Sequence, residues 1–248
     1  MASTSSNDDN QHLIEFYANI TRLYHKIESS DLASNSSQYQ DMVVQCITDL
    51  QKVTDMINQL GIFSNNEDID DVTTIELRYF IVHALLADLN LKLQNSTLPD
   101  ARLCNINSAK VYIRKYLQLC RDYSLYDGNE LQYCQEDDDD DSLLDHPSNV
   151  KMSTMAQFKQ DADSRQAKIE RFRQLKEQEK KMKIIEKLME QDKYQLDEET
   201  IRRYRILQIQ SWINKSLDLL DSINSEMKIL AHMIKIKENG NDSMQGNK

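Results

Sequence analysis

A chain of 248 residues with 30 Lys and Arg against 41 Asp and Glu carries a formal charge of −11, which repels a phosphate backbone and excludes non-specific nucleic-acid binding, though not a local basic patch. Its 4 glycines and 2 prolines are too few turn residues for sheets and tight hairpins, so long helices joined by a few loops are expected around one modest core. No stretch reaches the ~20 apolar residues that cross a bilayer, and the polar start MASTSSNDDNQ has no apolar signal segment.

Met1–Asn7 reads as a polar, disordered leader to a single helical domain over 8–237. The first helix is expected near Asp8–Ser29, with Leu13, Phe16, Tyr17, Ile20, Leu23, Tyr24 and Ile27 at helical spacing. After SSDLASNSS, a second helix spans about Gln38–Leu60 on a stripe of Val43, Ile47, Leu50, Val53, Ile57 and Leu60. Gly61 suits a left-handed cap at its end. FSNNEDIDDVTT is a connector rich in capping residues, leading to a third helix over about Asp71–Gln94. That helix is apolar on most sides, which predicts a central position. STLPD places Pro99 at the start of a fourth helix carrying Leu103, Ile106, Val111, Ile113, Tyr116, Leu117, Leu119 and Cys120.

Between Ser124 and Asn149 the composition changes to an acidic loop with an unbroken Asp137–Asp141 run. Like charges at that density oppose compaction. Two long helices follow, about Val150–Gln191 and Asp197–Lys237, the latter opened by Asp197, Glu198 and Glu199. The tail from 238 to 248 is polar and expected to fray. The expected fold is all-α: an antiparallel array of helical hairpins, broadly tetratricopeptide-like, with long C-terminal helices.

Enzyme motifs are not found. There is no GxGxxG, P-loop, HExxH or GxSxG, and His12, His25, His83, His146 and His232 stand apart. A Ser/His/Asp set assembled in space stays open. His83, on an apolar helix, reads as a hydrogen-bonded core histidine rather than a ligand. Cys46, Cys104, Cys120 and Cys134 form no CxxC pair and read as reduced thiols, suited to the cytosol. The Asp run lacks the turn glycine and closing Glu of a calcium loop and reads as solvated linker, or as an internal competitor for basic residues. No metal or cofactor is expected, and the chain reads as a non-enzyme.

SRQAKIERFRQLKEQEKKM, Ser164–Met182, is charged at nearly every second position and has little apolar surface. At ~100° per residue, Arg165, Lys168, Lys176 and Lys183 share an arc of ~80° around Phe172. Leu175, Met182 and Met189 form a narrow stripe beside them. Such a strip suits an acidic protein surface, because Arg grips carboxylates bidentately and long basic stems cover apolar atoms. Composition alone favours a solvated helix laced by i,i+4 pairs. A coiled-coil tether is another reading, although Glu179 and Lys183 interrupt its stripe.

Several blocks resemble one family. LGIFSNNEDIDDVTTIELRYFIVHALLADLNLK (Leu60–Lys92), AKVYIRKYLQLCRDYSLY, SRQAKIERFRQLKE (Ser164–Glu177) and DEETIRRYRILQIQSWINKSLDLLDSINSEMKIL (Asp197–Leu230) match in order and spacing the alpha-four, or immunoglobulin-binding-protein-1, regulators of type 2A phosphatases. The resemblance implies a tetratricopeptide-like fold and a non-enzymatic role. It implies binding of the phosphatase catalytic subunit, keeping it stable and apart from other subunits, in target-of-rapamycin-linked signalling. Arg165 and Lys168 carry over from the family's RQAK motif as partner contacts, and Lys176 and Lys183 extend them by helical geometry. Ubiquitin binding by the second helix is not expected, since DLQKVTDMINQL offers Val53 and Thr54 where a small residue is wanted. Nor is ubiquitin-ligase binding through a longer C-terminal segment, because the sequence stops at Lys248. A monomer is expected, in the cytoplasm, with the nucleus also open.

Overall fold

The computed structural model describes residues 3–64, 67–94, 98–126, 154–190 and 196–245. They form α1 (Ser3–Glu28), α2 (Ser37–Leu60), a 3₁₀ turn (Glu76–Tyr79), α3 (Val82–Lys92), α4 (Pro99–Asp122), α5 (Thr154–Glu190) and α6 (Glu198–Gln245), with no strand among the described residues. The expected all-α class is what is found. The Asp137–Asp141 run, Cys134 and His146 lie outside the described residues.

Local chemistry accounts for the ends. Ser36 caps α2 by accepting from the Tyr39 N–H, and Gly61 closes it at φ 61°, with the Ile62 N–H on the Ile57 carbonyl at 3.2 Å. Pro99 opens α4 as expected. Ser124 closes it in the same left-handed geometry, φ 56°, with the Leu125 N–H on the Cys120 carbonyl at 2.9 Å.

Three boundaries differ from expectation. α1 begins at Ser3, inside the supposed leader, and α6 runs on to Gln245, through most of the supposed tail. Extending an existing helix fixes one residue per hydrogen bond, so polar residues can be carried along once a nucleus exists. The third predicted helix is instead a 3₁₀ turn and a separate α3. Thr73 and Glu76 form a reciprocal capping box, the Thr73 N–H on the carboxylate at 3.2 Å and the Glu76 N–H on the hydroxyl at 3.3 Å. The break follows because Tyr17 donates its hydroxyl to the Arg78 carbonyl at 2.9 Å, the acceptor that a continuous helix would offer to Val82. On the other side Phe80 packs between Phe63 and Tyr123, centroids 4.6 and 5.1 Å away.

α3 is central, as its apolar composition predicts: Val82, Leu85, Leu86 and Leu89 are all buried. It runs parallel to α1, through Tyr24 to Asp88 and Glu28 to Lys92, and antiparallel to α4, through Leu91 to Arg102. α6 lies antiparallel to α4, with the Tyr116 hydroxyl on the Ile209 carbonyl at 2.7 Å and Arg102 forked onto Glu226 at 2.7 and 3.1 Å. Arg202 ties the start of α6 to the connector before the 3₁₀ turn, through the Val72 and Ile69 carbonyls at 2.7 and 2.6 Å.

At the junction of α1, α3 and α6 sits a buried charge. Asp88 accepts from the Tyr24 hydroxyl at 2.8 Å and meets Lys92 at 2.5 Å and Lys215 at 3.4 Å. Burial pushes the Asp88 carboxyl up, but Lys215, Lys92 and the hydrogen bonds outweigh it and hold it below the usual carboxylate range. Lys215 also lies 4.1 Å from the Trp212 ring. The cysteines at 46, 104 and 120 are free. His83 departs from expectation: it is half-buried on a groove wall rather than in the core, and its ring lies 6.2 Å from that of Tyr112 without a side-chain hydrogen bond to a described residue.

Candidate partner-binding face

α5 stands outside the main core: none of its described side chains belongs to the apolar cluster formed by the other helices. It is held to α6 by an antiparallel polar seam. Arg171, with only 11% of its side chain exposed, donates to Asp218 at 3.0 Å and Asp221 at 3.1 Å. Further along, the Asn214 amide donates to Gln178 at 3.2 Å. Beyond that, the Tyr204 hydroxyl donates to Glu186 at 2.8 Å, next to the buried Ile185. Positions 171, 178 and 185 recur at heptad spacing and so share one side of the helix. Burial, then the Glu186 carboxylate, push the Tyr204 hydroxyl up to about 12, so it stays a donor at neutral pH. The aspartates are 43% and 41% exposed, so water screens these pairs and each contributes no more than about 1 kcal/mol.

Roughly a third of a turn round from this seam, α5 presents its outer face. Phe172 is 59% exposed and Ile169 62%. Around them stand three of the four predicted cations. Lys176 sits 5.6 Å from the Phe172 ring centre and pairs with Glu179 at 2.8 Å. Lys168 reaches Asp221 at 3.3 Å and so shares that carboxylate with Arg171. Arg165 is exposed and makes no ion pair with a described residue. Lys183 is exposed too, but lies about 10 Å further along the axis than Lys176, beside the exposed Ile184 rather than Phe172.

This face differs from an ordinary solvated helix in one respect: its apolar side chains are exposed among the cations instead of being folded into the seam. The sharing of Asp221 matters chemically. Lys168 can turn to an outside carboxylate without leaving Asp221 unpaired, because Arg171 still donates to it while serving Asp218 as well. Arg171 itself was not legible as special in the sequence. Its signal was present as the i,i+3 pair Asp218 and Asp221 on a predicted helix, but nothing local said which basic residue they meet. Leu175 and Met182 of the apolar stripe are half-buried and lie toward the α6 side of α5 by helical geometry, while Met189 is exposed. Among the described residues no group of three or more His, Cys, Asp or Glu is placed to hold a metal, and no helix is long and apolar enough to cross a membrane.

Comparison with known proteins places this geometry in context. A family model described as the TAP42-like family matches residues 13–248. Immunoglobulin-binding protein 1 family member C of Homo sapiens is 32% identical over 88% of this chain and 61% of its own length. Type 2A phosphatase-associated protein 42 of Saccharomyces cerevisiae is 28% identical over 89% of this chain and 63% of its own. Serine/threonine-protein phosphatase 4 regulatory subunit ppfr-4 of Caenorhabditis elegans is 29% identical over 80% of this chain and 56% of its own. The chain thus spans about 56–63% of the length of these curated relatives. A solved structure described as "The Structure of Tap42 Alpha4 Subunit" shares the fold, with a TM-score of 0.67 at 23% identity over 90% of this chain and 99% of that one.

Proposed function

The chain belongs to the TAP42-like family, and from that premise we propose that it is a non-enzymatic regulatory protein that binds the catalytic subunit of type 2A-class Ser/Thr phosphatases through the outer face of α5. It holds that subunit stable and apart from other subunits, as a monomer, within target-of-rapamycin-linked signalling. The observation that carries the reading is the exposed pair Phe172 and Ile169 set among Arg165, Lys168 and Lys176 on a helix already anchored from behind by Arg171. An apolar centre ringed by Arg and Lys is the arrangement of an interface that recognises an acidic surface. Arg165 and Lys168 are the central contacts, Lys176 a flanking one, and Lys183 a rim contact.

The test is direct binding of the purified chain to a type 2A phosphatase catalytic subunit, comparing wild type with an Arg165→Glu, Lys168→Asp variant shown by circular dichroism to keep its helix content. Wild type should bind, and the variant should bind at least about tenfold more weakly, since reversing charges at a desolvated contact leaves carboxylates facing carboxylates. Equal binding by both would remove the face, and no binding by either would remove the reading. Light scattering separates it from a coiled-coil tether, which would dimerise through α5.

A further inference from the structure

α2 and α4 run parallel, through Gln51 to Tyr112 and Ser64 to Tyr123, and leave a groove of about 620 Å³ between them with no α5 residue in its lining. Its floor is apolar, made by Ile57, Phe63, Val82 and Leu119. Its α4 wall is cationic. Arg114, Gln118 and Arg121 recur at i, i+4 and i+7 and share one face, with Lys115 beside them. Asp122 is the one carboxylate among the lining residues, and its Oδ1 accepts from the Gln118 amide at 2.6 Å. Lys115 and Arg121 are exposed and pair with no carboxylate among the described residues; the Lys115 ammonium lies 6.0 Å from the Tyr112 ring.

Three further features of the lining bear on what this cationic groove can hold, in a protein of net charge −11. The first residues of α3, Val82 and His83, line it, and Ile81 before them makes no side-chain cap to the start of that 11-residue helix. His83 is pushed down to about 4 by burial and then by Lys115, so the imidazole is neutral at physiological pH. Tyr79, 1% exposed, lines the groove, and its hydroxyl has no hydrogen-bond partner.

We propose that the α2–α4 groove docks a short acidic segment of a partner protein, its carboxylates on Lys115 and Arg121 and an apolar side chain on the Ile57–Phe63–Leu119 floor. From Arg114 to Asp122 the α4 wall is about 12 Å long, room for some four extended residues. A long polyanion is disfavoured because the rest of the molecule repels it, whereas a segment with two or three acids matches the wall and avoids the remainder of the surface. The volume lies in the ordinary range for a recognition cleft. This site is separate from the α5 face and does not depend on it.

The experiment is fluorescence anisotropy of a fluorescein-labelled hexapeptide alternating acidic residues with Leu, titrated with the full chain. Saturable binding is expected for this peptide, weakening with salt, and none for the counterpart with Lys in place of the acids. A Lys115→Glu, Arg121→Glu variant with unchanged circular dichroism and Tm should bind about tenfold or more weakly. The Arg165→Glu, Lys168→Asp variant should bind as wild type does, which keeps the outcome distinct from that of the phosphatase test. Equal affinity in the groove variant would overturn the proposal, as would absence of binding to wild type and to a variant with Asp137–Asp141 changed to Asn. Binding seen only with that last variant would assign the groove to the chain's own acidic run and refute a partner.

Discussion

Replacing Asp88 with Asn tests whether a buried charge joins α1, α3 and α6. The substitution keeps shape and an acceptor for the Tyr24 hydroxyl but removes the negative charge from between Lys92 and Lys215. Stranding the partner of a fully buried pair costs about 3–5 kcal/mol. Here the loss is smaller. Lys92 keeps Glu28 at 2.9 Å, and Lys215 is 37% exposed and keeps the Trp212 ring at 4.1 Å. Discounted for that solvent access, the cost is about 2–3 kcal/mol, or roughly 5–10 °C in Tm for a chain of this size. The pH dependence is the sharper assay. The folded carboxyl lies below its unfolded value, so its stabilisation is complete above about pH 4 and disappears as pH falls through the folded pKa. Urea midpoints for wild type and Asp88→Asn should therefore differ at pH 7 and converge as pH falls through the folded pKa of Asp88, below the usual carboxylate range. A difference below about 0.5 kcal/mol at pH 7, or one that stays constant on acidification, would refute a charge-based junction.

Other substitutions have defined signs. Gly61→Ala should cost about 1 kcal/mol by urea denaturation, because φ is 61° and no atom lies within 4 Å of the added methyl, leaving backbone strain as the sole cause. Ser124→Gly, in the same conformation at φ 56°, should stabilise by up to about 1 kcal/mol; a loss would show that the hydroxyl matters more than the backbone. Arg102→Ala removes the fork on Glu226 and the bond to the Leu91 carbonyl, and should lower stability by about 2 kcal/mol while hydrogen exchange rises first at the α4–α6 contact. Because the His83 imidazole is held neutral, with its pKa at about 4, stability should fall as pH drops from about 6.5 toward that value; His83→Phe should flatten that part of the profile.

The helices were legible because their signals are local. Leu13, Tyr17, Ile20, Tyr24 and Ile27 repeat at the helical period and are all buried on one side of α1, and Gly61 and Pro99 mark ends by backbone constraints that need no distant partner. The basic strip of α5 was legible for the same reason, since spacing alone puts Arg165, Lys168 and Lys176 around Phe172. The break before α3 was not. It depends on Tyr17, 61 residues away from Arg78, taking a carbonyl out of the helical ladder. Asp88 and Lys92 stood in the sequence only as interruptions of an apolar run. Their purpose appears once Tyr24 and Lys215 arrive from other helices. The α2–α4 groove is likewise a product of packing, for its floor and its cationic wall come from segments that share no periodic pattern. By itself, then, the sequence determined that the chain is helical, which side of several helices is apolar and where some of them end, because neighbours three and four apart decide these. Tertiary structure alone decided which charges are neutralised and which stay open to a partner, because Coulomb pairing and burial depend on distance in space, and chain order does not encode it.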